Sequence, residues 1–252
     1  MTHNTLLLEI IQKQNIVANI SKSLLKTLKY FTCLLDPAVD GASRVPEDMF
    51  NIILLGLTGT GKSASGNTIL AAGNSRSHHP KELFKSEADS VPVTKQCEAI
   101  EAKKLKGAQV MVVDTPDFFS DLIEDPQRHI EECKKYLVSG RYAVLLVIQT
   151  GRLTDGERGI LDKLEEKLDC EISHHTTVLL THAEDLKGDP RVYINSEVHL
   201  KRTVEMCGNR FHLFKNKSKQ PQQVKELVEK IPFFKQIDWE DDKSKNMGCC
   251  LS

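Results

Sequence analysis

The sequence predicts an α/β domain: a doubly wound, mostly parallel sheet with helices on both faces. Two observations predict it. First, short apolar runs at Phe50–Leu55 and at residues 109–113, 142–148 and 176–180 alternate with stretches of helical length at 62–72, 126–138, 154–168 and 192–207. The apolar runs are continuous, as in parallel strands covered on both faces. Second, a glycine-rich turn, Gly56-Leu-Thr-Gly-Thr-Gly61-Lys62-Ser63, joins the first run to the first helical stretch. Ligands of doubly wound sheets sit at the carboxyl ends of strands, where this turn falls. Leu213 and Phe214 are candidates for a further short strand.

The turn carries the most chemistry. It fits G-x-x-x-x-G-K-S/T, which a chain of this length and average composition matches by chance on the order of once in a hundred. A strand before it and a helix after it are the context the motif requires. Gly56, Gly59 and Gly61 let the backbone curl so that the N–H groups of the loop, Thr58 and Thr60 included, face phosphate oxygens. Ala64 continues into the helix, whose N-terminus adds partial positive charge. Lys62 is expected to reach the β- and γ-phosphates and Ser63 to ligate Mg²⁺. The loop alone thus predicts a nucleoside triphosphate with Mg²⁺. Asp114 ends the apolar run at 109–113. Two roles are open to it: holding Mg²⁺, usually through water, or capping a turn before Pro116. The phosphate loop favours the first.

The rest of the chain sets bounds. Its 252 residues suffice for one such domain, read at 49–237, with a helical extension at 1–48 and a polar tail at 238–252. The extension ends in a turn-rich stretch with Pro37, Gly41 and Pro46. A net charge of −1 gives no global argument for a nucleic-acid partner, and none is expected. Seven cysteines, an odd number without metal-ligand spacing, predict a reduced, cytoplasmic setting. Glu9 and Lys13 interrupt the first apolar stretch, which is not read as a signal peptide. The longest clean apolar runs, such as 143–148, fall far short of the ~20 residues that span a bilayer.

Several segments together resemble the immunity-associated GTPases, the GIMAP family with its AIG-type G domain. Residues 56–70, with Lys62-Ser63-Ala-Ser-Gly-Asn-Thr-Ile-Leu70, are similar to its first motif, and Val93-Thr94-Lys95-Gln96-Cys97 to its switch segment. Asp114-Thr-Pro-Asp117 resembles its third motif, and Gln149-Thr-Gly-Arg152-Leu-Thr-Asp-Gly-Glu157 its distinctive box. Thr181-His-Ala-Glu-Asp185-Leu resembles its variant guanine motif, and Cys207-Gly-Asn-Arg210 with Phe214-Lys-Asn216 its last one. These run in family order over roughly residues 50–235. The resemblance implies a P-loop GTPase fold and guanine-nucleotide binding, GTP or GDP with Mg²⁺. It implies that Asp185 accepts from guanine N1–H and N2–H₂, that His182 and Asn216 stand near the base, and that Thr94 closes on Mg²⁺ and the γ-phosphate. A carboxylate at Asp185 disfavours adenine, which has an amino group where guanine has O6.

Departures from the usual pattern shape the expectation. His182 and Ala183 replace the first two residues of N-K-x-D, so the lysine that packs beside the base is missing. Asp117 replaces the glycine of D-x-x-G, placing a negative charge near the γ-phosphate. Phe118 stands where Ras-like GTPases have their water-orienting glutamine, so intrinsic turnover is expected to be slow. Arg152 lies in the box where the family can place an arginine acting across a dimer, and a delocalised guanidinium suits the transferring phosphoryl group. It is equally readable as a solvated loop residue. Two functions follow: a GTPase stimulated by GTP-dependent dimerisation through Arg152, or a nucleotide-controlled membrane scaffold with negligible hydrolysis.

Two segments point to a membrane surface. Cys249-Cys250-Leu251-Ser252 fits the C-a-a-X prenylation box, with Cys249 the lipidated residue. One lipid anchors only marginally, and stable attachment usually takes a second signal. In the extension, Val17, Ile20, Leu24, Leu28 and Phe31 recur at helical spacing beside Lys13, Lys22, Lys26 and Lys29. Such a helix either lies on anionic lipid or packs on its own domain or a dimer partner.

Overall fold

In the computed structural model, residues 49–73, 83–86, 94–137, 141–218 and 221–234 are described. The N-terminal extension with its basic amphipathic stretch, Val93 of the switch segment, and the tail with Cys249 lie outside them.

Among the described residues six strands form one sheet, in the order β2-β3-β1-β4-β5-β6. They are β1 (Phe50–Leu55), β2 (Glu98–Leu105), β3 (Ala108–Asp114), β4 (Tyr142–Gln149), β5 (Thr176–Thr181) and β6 (Phe211–Leu213). All neighbours are parallel except the β2–β3 pair. The expected doubly wound, mostly parallel sheet is therefore present. The helices are α1 (Lys62–Gly73), α2 (Pro126–Leu137), α3 (Ile160–Leu168), α4 (Pro190–Ser196), α5 (Val198–Met206) and α6 (Pro221–Lys230).

The continuous apolar runs have the predicted cause. Along β1, Ile53 and Leu55 enter one core with Ile130, Leu161, Leu164 and Val204 from α2, α3 and α5. Phe50, Ile52 and Leu54 enter the opposite core with Ile69, Leu70, Val224 and Leu227 from α1 and α6. Side chains alternate across a strand, so burial on both faces calls for apolar residues at nearly every position, the buried Asn51 being the polar exception in β1.

The fold differs from the sequence reading in four places. The antiparallel edge strand β2 is an addition: its sequence, EAIEAKKL, is half charged and lacks an apolar run. It folds back against β3 through Lys106 and Gly107, which both have positive φ (49° and 95°), as a two-residue hairpin turn requires. The helical stretch expected at 192–207 is two helices. Glu197 between them is extended, and the Ser196 hydroxyl donates to the Tyr193 carbonyl at 2.7 Å, offering the backbone an alternative to helix. The stretch expected at 154–168 is a 3₁₀ turn, Asp155–Glu157, then α3, separated by Gly159 in the left-handed region at φ 63°. Helix α6, with Val224, Leu227 and Val228 at helical spacing, also goes beyond that reading.

Candidate nucleotide site

The site forms at the carboxyl edge of the sheet, where β1 lies between β3 and β4. The loop leaves β1 at Gly56, whose φ is +147°. A Cβ there would lie 2.5 Å from the Val147 carbonyl oxygen of β4, so only glycine lets the chain turn this close to the neighbouring strand. Two threonines at strand ends hold the loop and the end of β1 that leads into it. Thr181 donates to the Thr60 carbonyl at 2.7 Å, and Thr115 to the Leu54 carbonyl at 2.7 Å. Both are fully buried. A hydroxyl ending a strand beside the loop was the available sequence signal for this strapping role.

Lys62 arches back over the loop. Its Nζ donates to the carbonyls of Gly56 at 3.0 Å and Leu57 at 2.8 Å. Burial pushes its pKa down, while the carboxylates of Asp114 and Asp117 pull it up. A buried ammonium held by neutral carbonyls retains donor capacity for an anion.

Ser63, Thr94 and Asp114, separate in sequence, meet here. Asp114 Oδ2 accepts from the Ser63 hydroxyl at 2.6 Å and the Thr94 hydroxyl at 3.0 Å, and the two hydroxyl oxygens are 3.1 Å apart. Asp114 is 1% exposed, and its Oδ1 has no hydrogen-bond partner. Burial raises its pKa, against the lowering effect of Ser63, Lys62 and Thr94. A buried carboxylate oxygen without a donor, beside two hydroxyls, suits a hard divalent cation such as Mg²⁺ or the water it carries. The segment after Thr94 is tied to α2, since the Cys97 thiol donates to the His129 carbonyl at 3.3 Å. Burial, then the charges of Glu132 and Asp114, push that thiol up to about 12, so it stays protonated.

The segments expected at the base converge on the other side of the loop. Asp185 ends a 3₁₀ turn, Ala183–Asp185, directly after β5. It is exposed, and among the described residues its carboxylate makes no hydrogen bond. His182 is half-buried, in the left-handed region at φ 54°. Asn216 is placed against α1: its amide nitrogen donates to Ser65 at 3.1 Å, and its oxygen accepts from Thr68 at 3.3 Å. That amide braces the helix behind Gly61, whose added Cβ would come within 3.2 Å of it.

Arg152 stands apart on the exposed turn after β4. The preceding Gly151 N–H donates to the Tyr193 hydroxyl at 3.0 Å. Phe118 turns into the core and is 3% exposed, so it does not face the loop's solvent side.

Comparison with known proteins agrees with this architecture. The AIG1 family matches residues 50–247, ten residues beyond the domain end read from the sequence. GTPase IMAP family member 8 of Rattus norvegicus is 33% identical over 189 residues, covering 72% of this chain and 26% of that protein. Immune-associated nucleotide-binding protein 8 of Arabidopsis thaliana is 33% identical over 198 residues, covering 74% of this chain and 54% of that one. The chain thus spans about a quarter to just over half of these curated relatives. Among solved structures, Toc33 from Arabidopsis thaliana in complex with GDP and Mg²⁺ has a TM-score of 0.50 at 15% identity, covering 73% of this chain and 84% of that one. A dimerisation-deficient variant of Toc33 has a TM-score of 0.50 at 14% identity, with the same coverage. The structural likeness supports the fold. The family match starts at β1 and takes in every strand of the sheet: the chain belongs to the AIG1 family.

Proposed function

We propose that the chain binds GTP and GDP with Mg²⁺ at residues 56–63 and hydrolyses GTP slowly. The observation that carries this reading is the cluster of buried Lys62 and Asp114 with half-buried Ser63 and Thr94, in which one carboxylate oxygen of Asp114 is unpaired. Lys62 and the loop N–H groups would bind the phosphates. Ser63, Thr94 and Asp114 would hold Mg²⁺, which when bound neutralises charge on the β- and γ-phosphates. Thr94, joined to the site from a separate segment, would report the third phosphate to the chain around it. Asp185 would select guanine.

The test is equilibrium titration with GTP, GDP and ATP. The guanine nucleotides are expected to bind at least about a hundredfold more tightly than ATP, because a site built to pair with one base leaves polar groups unpaired against another. Asp185→Ala is expected to remove most of that preference and leave phosphate binding in place. Equal affinity of wild type for ATP and GTP would discard the base assignment and keep the phosphate site.

For hydrolysis, the proposal is dimerisation across the nucleotide face, with Arg152 acting on the partner's site. Its support is the exposed guanidinium on the turn after β4, together with the existence of a dimerisation-deficient Toc33 variant among proteins of this fold. Turnover per molecule is expected to rise with protein concentration, and Arg152→Ala to flatten that rise. A wild-type rate independent of concentration would sink this part. A nucleotide-controlled scaffold with negligible hydrolysis is favoured by one observation, the burial of Phe118 away from the loop. Single-turnover measurement at high protein concentration separates the two.

A further inference from the structure

Asp117 is where the chain departs from D-x-x-G, and the fold gives its carboxylate a definite post. Oδ2 accepts from the Thr58 N–H at 2.7 Å and from the Thr58 hydroxyl at 3.1 Å. Oδ1 accepts from the Phe119 N–H at 2.9 Å. The residue is 8% exposed. Backbone N–H groups of such a loop are the donors that nucleotide phosphates use. One of them is already taken here by the protein's own anion.

The neighbours locate that anion along the phosphate chain. Lys62 reaches the β- and γ-phosphates in loops of this type. Asp117 lies near enough to act on its ammonium, as Asp114 does. Asp114 would hold the Mg²⁺ that, when bound, neutralises charge on the β- and γ-phosphates, and Asp117 follows it by three residues off the end of β3. The base side of the loop is marked instead by the turn at Ala183–Asp185. Asp117 therefore stands at the γ end of the phosphate path.

We infer that Asp117 is a specificity-determining residue that selects GDP over GTP, the third phosphate entering only when the Asp117–Thr58 clasp opens. The inference rests on the nucleotide reading above. GTP brings additional negative charge to within a few ångströms of a shielded carboxylate and competes for the same N–H. GDP ends one phosphate short and leaves the clasp closed. Like charges at this range in a partly dry site repel strongly enough to shift affinity by tenfold or more. A glycine at this position adds no charge and occupies no donor.

The experiment uses the full chain with Mg²⁺, titrated calorimetrically with GDP and with a non-hydrolysable GTP analogue. Wild type, Asp117→Asn and Asp117→Gly are compared. Wild type is expected to favour GDP by at least about tenfold. Both variants should hold GDP within about threefold of wild type and gain at least about tenfold for the analogue. Equal gains in the two variants assign the effect to charge; a larger gain with glycine assigns part of it to the clasp. Either result supports the inference. An unchanged analogue-to-GDP ratio in both variants overturns it while GDP binding keeps the nucleotide reading intact. If none of the three proteins binds either nucleotide, the nucleotide reading falls and this inference falls with it.

Discussion

Replacing Lys62 by alanine is expected to weaken GDP and GTP binding by roughly a hundredfold to a thousandfold, about 3–4 kcal/mol. The argument is one of charge balance in a buried place. Asp114 and Asp117 are 1% and 8% exposed and bring two carboxylates to the loop. Lys62, 7% exposed, is the cation that both act upon. Its removal leaves phosphates to approach those carboxylates without it, and truncating one partner of a desolvated charge pair costs most of the pair's strength. The variant should nevertheless fold. The Thr181–Thr60 hydrogen bond still straps the loop to the sheet, and the Thr115–Leu54 bond still fixes the end of β1 from which the loop leaves. Loss of the two contacts from Nζ to loop carbonyls is expected to cost about 1–2 kcal/mol, a few degrees in melting temperature for a domain of this size. Titration with a fluorescent GDP analogue, alongside a thermal melt without nucleotide, separates the two effects. A Kd within threefold of wild type would falsify the role given to Lys62.

The features legible in the sequence are those written by adjacent residues. The loop at 56–63, the four parallel strands β1, β3, β4 and β5, and α1 were read at nearly their observed bounds, because burial on both faces and glycine spacing leave local marks. Ser63, Thr94 and Asp114 are expected at one Mg²⁺ site from their motifs; the hydrogen bonds that join them directly, within 3.1 Å, are a property of the fold. Strand β2 was invisible because an edge strand need not be apolar, and its sequence resembles a charged helix face. The Lys106-Gly107 turn was the signal that marks it. The break between α4 and α5 comes at one extended residue, Glu197, beside the Ser196 hydroxyl, too weak a mark against helical spacing on either side. The Asp117–Thr58 contact joins residues 59 apart, and no periodicity reports it. Asn216 shows the reverse: its place in the last motif suggested the base, while its amide is occupied with Ser65 and Thr68 of α1.

Phe118→Gln, which restores the residue type of Ras-like GTPases, is expected to destabilise the domain by about 3–5 kcal/mol without raising GTP turnover. Phe118 belongs to the same core as Ile53, Leu55, Val113 and Ile130. Removing its ring forfeits buried aromatic surface and opens a cavity, and the glutamine amide then lacks donors and acceptors among those apolar neighbours. At roughly 2–4 °C per kcal/mol for a domain of this size, the melting temperature should fall by about 6–20 °C. The reason for unchanged turnover is direction: a residue whose side chain is 3% exposed inside the core cannot hold a water against the γ-phosphate. A variant as stable as wild type that also hydrolyses GTP faster would show that the loop after Asp117 turns its side chain outward, and would remove the structural reason for slow hydrolysis. With the expected outcome, position 118 is a packing position in this chain. A water-positioning group must then come from another residue, and the exposed Arg152 on the turn after β4 is the one proposed above to act from a second copy.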